Sequence, residues 1–342
     1  MSLTLEKVGQ LAGVSRSTVS RVINGHPSVS REVRERVWNV IRETGYQPHA
    51  AARSLVTRRT QIIGVIIPES VARLFVDPFF PLLLGGITST CNTRGYHLML
   101  SLFNGPANPE ELYRRLVHSG HLDGVVVASA RLDDPLVCRL LQDEMPFILV
   151  GRHVDDRVRY VDADNVGGAR MAVEHLIRLG HRRIGAITGP LGTPAGADRL
   201  IGYRRALEAS RISVQDDLVV EGDYSKGSGA TGMQQLLPTQ PSAVFCASDS
   251  MAIGALETIR EAGLRVPDDI ALVGFDDVPV ATAVEPALTT VRQPIEGLGT
   301  MAAELLLNLL ENPPDGQAPG QRIILPAKLI VRDSCGALRR RS

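Results

Sequence analysis

The feature that most narrows the fold is an alternation of strand and helix that begins near residue 61 and runs twice. Short, mainly apolar stretches stand at 62–67, 97–102, 124–129 and 147–151. They read as strands covered on both faces. Amphipathic stretches at 79–94, 109–119 and 134–143 lie between them as helices. After YVDADN the rhythm restarts, with helices at 166–179, 197–210, 229–237 and 250–262 and strands at 184–188, 218–221, 243–247 and 270–274. Buried strands that alternate with helices form parallel sheets. The expected class is α/β: two doubly wound parallel-sheet subdomains with a cleft between them. The chain ends with a strand at 289–292, a helix at 295–310, the loop ENPPDGQAPG and a strand at 322–330.

The stretch before this body has a different grammar. LEKVGQLAGVSRSTVSRVIN, residues 5–24, reads as two short helices joined by a tight turn. Thr4 is placed to cap the first helix. Leu5, Val8 and Leu11 share a face, and Gly13 ends that helix in the left-handed conformation that glycine reaches without strain. Val14 plugs the turn. Ser15 caps a second helix, 16–23, whose Val19, Val22 and Ile23 point inward while Arg16, Ser17, Ser20 and Arg21 point out. Ser30 caps a third helix, 31–44, with Val33, Val37, Val40 and Ile41 on one face and Gly45 closing it. A helix-turn-helix with a polar, basic second helix fits the major groove. The bland alternative is a helical hairpin with a solvated basic face.

Charge separates those readings. Residues 1–60 carry ten Lys/Arg against four Glu, whereas the whole chain balances 37 against 37. A basic head therefore precedes an acidic body, and a polyanion is drawn to the head. Arg16, Ser17 and Arg21 are candidates for reading bases. Thr4, Ser15, Thr18, Ser20, Asn24 and Ser30 suit phosphate contacts. Between head and body, YQPHAAARSLVTRRT has good helix propensity over Ala50, Ala51, Ala52, Arg53, Ser54 and Leu55. A helix of two turns is too short to hold alone in water, where ~12–15 residues is already marginal. It is a plain linker, or a helix that something else must hold.

At this point TLEKVGQLAGVSRSTVSRVIN and GYQPHAAARSL resemble the DNA-binding headpiece and hinge of the LacI/GalR bacterial transcription regulators. The likeness continues through VEHLIRLGHRRIGAITGP, DRLIGYRRAL, AVFCASDSMAIGAL, ALVGFDD and ALTTVRQP, so it spans most of the chain. The resemblance implies a headpiece (1–47), a hinge (48–60) and a periplasmic-binding-protein-like effector-binding and dimerisation domain (61–342). In it the first subdomain takes about 61–160 plus 292–322 and the second about 163–289 plus 325–342, with three crossings. It also implies that Ala50, Ala51, Arg53 and Leu55 form a hinge helix on operator DNA, Leu55 entering the minor groove. Such an apolar wedge exchanges base unstacking for a bent duplex.

Other chemistries find less support. The sequence has no G-x-S-x-G elbow, H-E-x-x-H or Walker A loop. His118 and His121 lack a third ligand nearby in sequence, so no metal is expected. Gly227 to Gly232 match G-x-G-x-x-G, but Asp223, Tyr224, Ser225 and Lys226 intervene after the preceding strand; a glycine-rich helix start is favoured over a dinucleotide site, and no cofactor is expected. Cys91, Cys138, Cys246 and Cys335 are scattered without a C-x-x-C pair and read as reduced thiols of a cytoplasmic protein. No apolar run reaches the ~18 residues of a membrane span, and the polar N-terminus gives no expectation of a secretory signal.

The cleft is read as a binding site. Strand ends place Ser70, Asp77, Phe79, Phe80, Ser129, Arg152, Thr188, Asp223, Tyr224, Ser248, Asp249, Asp276 and Asp277 around it. Planar polar groups for neighbouring hydroxyls and flat rings for a C–H face suit a sugar. Each has a structural alternative: the aspartates as caps, the phenylalanines as core, Arg199 as a surface residue. The resemblance makes Arg199 and Asp276 effector ligands and puts Phe80, Arg152, Tyr224 and Gln293 at contact positions. Ser248 stands where the family often has asparagine, which alters the usual hydroxyl contact. The sequence thus points to a ligand-responsive repressor, a homodimer on a pseudo-palindromic operator, associated with the nucleoid, with no heptad tail for tetramers. A solute-binding receptor and a nicotinamide-dependent enzyme are the competing classes.

Overall fold

The computed structural model describes residues 4–23, 26–46, 59–103, 120–128, 130–313 and 320–337, without the side chains of 69–72. Asn24, Ala50, Ala51, Arg53, Leu55, His118, Ser129 and the helix expected at 109–119 lie outside the described residues. The chain divides into two compact units, Met1–Thr60 and Gln61–Ser342.

The first unit holds α1 (Leu5–Ala12), α2 (Arg16–Ile23) and α3 (Arg31–Thr44). Its core is Val8, Ala12, Val19, Val22, Val37, Ile41 and Tyr46. The expectation for Leu11 is corrected: it is 53 % exposed, and Ala12, one turn after Val8, takes the inward place. Position i+4 lies closer to the 3.6-residue repeat of Val8's face than i+3 does here. The turn is tight because Gly9 permits it. A Cβ there would stand 2.8 Å from the Val14 carbonyl oxygen, while the Val14 amide donates to the Gly9 carbonyl at 2.9 Å. Gly13 supplies the left-handed residue, φ 66°.

The second unit contains β1 (Ile62–Ser70), α4 (Val71–Val76), α5 (Phe79–Thr93), β2 (His97–Phe103), β3 (Gly124–Ala128), α6 (Pro135–Gln142), β4 (Phe147–Val150) and β5 (Tyr160–Ala163). There follow α7 (Asn165–Arg178), β6 (Ile184–Thr188), α8 (Pro194–Ala209), β7 (Val219–Glu221), α9 (Lys226–Leu236), β8 (Ala243–Cys246), α10 (Asp249–Glu261) and β9 (Ala271–Asp276). The chain finishes with α11 (Val280–Ala283), β10 (Thr289–Arg292), α12 (Ile295–Glu311), β11 (Arg322–Leu325) and β12 (Lys328–Ile330). One six-stranded sheet has the order β11-β5-β4-β3-β1-β2 and the other β12-β10-β9-β8-β6-β7. All described neighbours pair in parallel except β10 and β12.

The central strands are apolar throughout because helices cover both faces. Val125, Val126 and Val127 are all fully buried, each contributing about 1.5–3 kcal/mol relative to exposure. Two readings are corrected. YVDADN is not only a boundary, since Tyr160–Ala163 is a strand of the first sheet. The single strand expected at 322–330 is two, β11 in the first sheet and β12 in the second. Pro326 and Ala327 separate them, and proline supplies no ladder donor. The chain therefore passes between sheets after β5, after β10 and after β11. Among the described residues, no helix is long and apolar enough to cross a membrane.

Candidate functional site

In the first unit, α2 presents Arg16, Ser17 and Arg21 to solvent, while Thr18 and Ser20 are half-buried. The hydroxyls near its start are already engaged. Ser15 Oγ accepts the Thr18 amide at 3.1 Å and lies 2.8 Å from Ser17 Oγ and 2.9 Å from Thr18 Oγ1. Thr4 Oγ1 caps α1 by accepting the Lys7 amide, and Ser30 Oγ caps α3 by accepting the Val33 amide. These caps fix the helix starts. Arg16 rests against Glu6 at 3.1 Å with both side chains largely exposed, a weak contact in water that a phosphate or base edge can displace.

In the second unit, a cavity of about 90 Å³ lies between the two sheets. Strand ends and the segments after them build its wall. Arg73 and Asp77 follow β1, Phe79 and Phe80 open α5, Gly151 follows β4, and Asp162 and Asn165 flank the first crossing. Thr193 and Arg199 stand before and on α8, Tyr224 after β7, Asp276 at the end of β9 and Gln293 after β10. Ligands of open parallel sheets bind at these carboxyl ends.

Arg199 is the hub. Its Nε donates to Asn165 Oδ1 at 2.9 Å, and Nη1 donates to the Ala247 carbonyl at 2.5 Å and to Asp276 Oδ1 at 3.3 Å. Its guanidinium stacks 3.8 Å from the Phe275 ring centroid and 5.8 Å from that of Tyr224. Arg73 lies 5.4 Å from the Tyr224 ring on the side of the first sheet. Gln293 Nε2 donates to Asp276 Oδ1 at 2.6 Å. Burial pushes the Asp276 carboxyl up to about 7, against the pull of Arg199 and with the push of Asp77. Burial likewise raises Asp162 to about 6, with the Ala163 amide opposing it and Asp198 adding to it. Asp276 and Asp277 both have positive φ, 111° and 59°. Such a conformation persists in non-glycine residues where surrounding contacts over-determine it. Asp277 is gripped by Arg292 and Arg332, each at 2.6 Å.

The cavity gathers Asp77, Phe79, Phe80, Arg199, Tyr224, Asp276 and Gln293 from the residues that the sequence singled out. Phe80 serves twice, as core and as wall, and meets Phe79 edge to face with centroids 5.4 Å apart. Of the residues expected there, Arg152, Thr188, Asp223, Ser248, Asp249 and Asp277 do not line the cavity. Ser248 is the N-cap of α10, accepting the Met251 amide at 3.2 Å. Asp249 is fully buried and accepts from the Val278 amide and Thr290 Oγ1. Arg152 is forked onto Asp198. Asp223 caps a turn by accepting the Ser225 amide, and Thr188 Oγ1 donates to the Gly189 carbonyl.

Arg73, Asp162, Asn165 and Thr193 were missed by the sequence reading. Arg73 leaves a trace, a lone cation in the apolar VARLFV, but only the fold turns it toward the cavity. The glycines at 227–232 serve helix packing: a Cβ on Gly229 would stand 2.1 Å from the Met251 carbonyl oxygen, and one on Gly232 would stand 3.0 Å from Ile187 Cγ2. Among the described residues there is no cluster of three or more side chains suited to a metal.

Comparison with known proteins adds the family. A model for bacterial regulatory proteins of the lacI family matches residues 4–49, and one for a periplasmic binding protein-like domain matches residues 173–335. The HTH-type transcriptional regulator CelR of Thermobifida fusca is 42% identical over 336 residues, covering 97% of this chain and 98% of CelR. The HTH-type transcriptional repressor PurR of Shigella sonnei (strain Ss046) is 37% identical over 336 residues, covering 97% and 96%. Among solved structures, a CelR–cellobiose complex has a TM-score of 0.77 at 39% identity, covering 97% of this chain and 99% of that one. The Lac repressor dimer bound to operator and the anti-inducer ONPF has a TM-score of 0.84 at 30% identity, covering 98% and 99%.

Proposed function

The chain belongs to the LacI family of bacterial regulatory proteins, and from that premise we propose that it is a sequence-specific DNA-binding repressor controlled by a sugar or sugar derivative in the cleft. It acts as a cytoplasmic homodimer on a pseudo-palindromic operator, where it is associated with the nucleoid. The observation that carries the effector reading is the buried Arg199–Asp276–Gln293 cluster facing a cavity walled by Phe79, Phe80 and Tyr224. A carboxylate, a guanidinium and an amide offer acceptors and donors to vicinal hydroxyls. The rings offer apolar faces to the C–H side of a pyranose. The cellobiose complex of a relative supports the same class of ligand.

Arg16, Ser17 and Arg21 read bases in the major groove, and Thr4, Ser15, Thr18, Ser20, Asn24 and Ser30 hold the backbone. The exposure of Arg16, Ser17 and Arg21 supports this division, as does the placing of Thr4, Ser15 and Ser30 as caps at helix N-termini, where backbone amides favour phosphate. Ala50, Ala51, Arg53 and Leu55 act at the minor groove. For the effector, Phe79, Phe80, Arg199, Tyr224, Asp276 and Gln293 make the direct contacts, with Arg73 added and Ser248 and Asp249 shaping the wall from behind. The domain division follows the same lines: headpiece to about residue 47, hinge to 60, effector and dimerisation domain beyond.

Two measurements test the reading. Selection of bound sequences from a random duplex pool should return a pseudo-palindrome. A thermal-shift panel of mono- and disaccharides, cellobiose included, should return at least one stabilising ligand, because binding to the folded form alone stabilises by RT ln(1 + [L]/Kd). A pool that returns no consensus sinks the repressor reading, and a silent panel sinks the sugar reading.

A further inference from the structure

We propose that Arg152 and Asp198 form a latch across the cleft, which holds the two halves of the effector domain together before any effector arrives. Arg152 follows β4 in the first sheet, and Asp198 lies on α8, which packs on the second. Nε donates to Oδ2 at 2.5 Å and Nη2 to Oδ1 at 2.6 Å. This two-pronged geometry is the strong form of a guanidinium–carboxylate contact. The side chains are 30% and 8% exposed, respectively.

A second contact lies on the same lip. The Leu132 amide donates to the Gly192 carbonyl at 3.0 Å. The Arg131 guanidinium also reaches across to Gly192, where a Cβ would stand 2.9 Å from its Nη2. Leu132 belongs to the first half and Gly192 to the second. The far lip is held by other means. Val278 and Val280, from the second half, pack into the first half's apolar core, and Arg73 stacks on Tyr224. The halves therefore meet on both sides of the cavity.

The pair is suited to a reversible latch. Arg152 keeps part of its side chain in water while Asp198 is buried, so the closed pair is held more firmly than an exposed one, and opening the cleft returns both charges to water instead of stranding one of them in the interior. The latch also touches the cavity wall through the chain itself. Asp198 immediately precedes Arg199, and Arg152 immediately follows Gly151, and both of these neighbours line the cavity. A ligand that moves Arg199 or Gly151 thus moves one jaw of the latch. Arg152, which the sequence reading gave to the effector, acts in closure instead. This consequence for regulation rests on the proposed function; the latch itself is read without a ligand.

The test uses the full chain, free of DNA and effector. Cys138 is exposed whereas Cys91, Cys246 and Cys335 are buried, so a nitroxide on Cys138 and another on Glu208→Cys report the separation of the halves. Labelled chains are diluted into unlabelled ones so that each assembly carries one labelled copy. The wild type should give one narrow, short distance. Arg152→Glu, which sets two negative charges face to face, and Arg152→Gln, which is neutral, should each give a longer, broader distribution. The swap Arg152→Glu with Asp198→Arg should return the short distance. If Arg152→Glu fails to fold, Arg152→Gln decides alone. Unchanged distances in the single variants, or a swap as open as they are, would overturn the latch. Because no ligand is present, that result is separate from a failure of the sugar reading.

Discussion

The ring of Tyr224 fills the space that a side chain on Gly189 would need: a Cβ there would stand 2.1 Å from Tyr224 Cζ and 2.3 Å from its hydroxyl oxygen. Tyr224 itself sits at φ 68°, a left-handed conformation that carries strain for an aromatic residue. The guanidiniums of Arg73 and Arg199 both approach the ring, at 5.4 and 5.8 Å from its centroid. Gly189→Ala should therefore push the ring out of place and weaken binding of the stabilising sugar at least tenfold, with operator binding by the ligand-free protein kept. Equal affinity in calorimetry would show that the ring position does not matter to the ligand.

Asp276 makes the cleft sensitive to pH. Its folded pKa, about 7, lies above the unfolded value of ~3.9. The unfolded chain releases this proton first, so the group's contribution to stability is full below about pH 4 and is lost as pH rises toward 7. Asp162, raised to about 6, acts in the same direction. Asp276→Asn should flatten part of the decline in urea midpoint between pH 4 and 7. A ligand hydroxyl that donates to the carboxylate favours its ionised form, so sugar binding should release protons below pH 7 and tighten as pH rises to it. Calorimetry in buffers of differing ionisation enthalpy reads that release; proton uptake would contradict the assignment.

Asp249 is expected to behave as a structural residue. Its carboxylate accepts the Val278 amide at 3.0 Å and the Thr290 hydroxyl at 2.5 Å. Asp249→Ala leaves both donors buried and unpaired, which costs about 1–3 kcal/mol for each. Thermal unfolding should show that loss without any sugar present. An unaltered melting temperature together with lost sugar binding would return Asp249 to the ligand set.

For the recognition helix, Arg21→Ala should lower specific binding by about 1–3 kcal/mol, the worth of one bidentate base contact. Non-specific binding should fall far less. Arg59→Ala should instead weaken all DNA alike and reduce the salt slope. Titration of operator and random duplex at several salt concentrations separates the two. An unchanged ratio for Arg21→Ala would remove it from the base-reading set.

The turn of the headpiece offers a stability test. Gly9→Ala brings a methyl to 2.8 Å from the Val14 carbonyl oxygen, a backbone atom that cannot rotate away. The headpiece should melt lower, whereas the effector domain should keep its own transition. Scanning calorimetry distinguishes them; a headpiece transition at the wild-type temperature would mean that the turn relaxes freely.

What the sequence determined is what local periodicity and short-range chemistry carry. Apolar runs bounded by turn residues marked most of the described strands, because a strand covered on both faces has no polar position to disguise it. Thr4, Gly13, Ser15, Ser30 and Gly45 marked helix ends, since caps act within a few residues. The tertiary structure decided matters that depend on distant chain segments. Leu11 and Ala12 differ by a single step of helix phase, and only packing against α3 told them apart. Asp249 and Asp276 are both carboxylates beside strand ends, yet one is turned into the wall and the other toward the cavity, because Val278 and Thr290 reach the first while Arg199 and Gln293 reach the second. Arg152 and Asp198 are 46 residues apart. No local pattern joins them; the two sheets bring them together because the chain crosses between β4 and α8, and the resulting ion pair exists only in the folded arrangement.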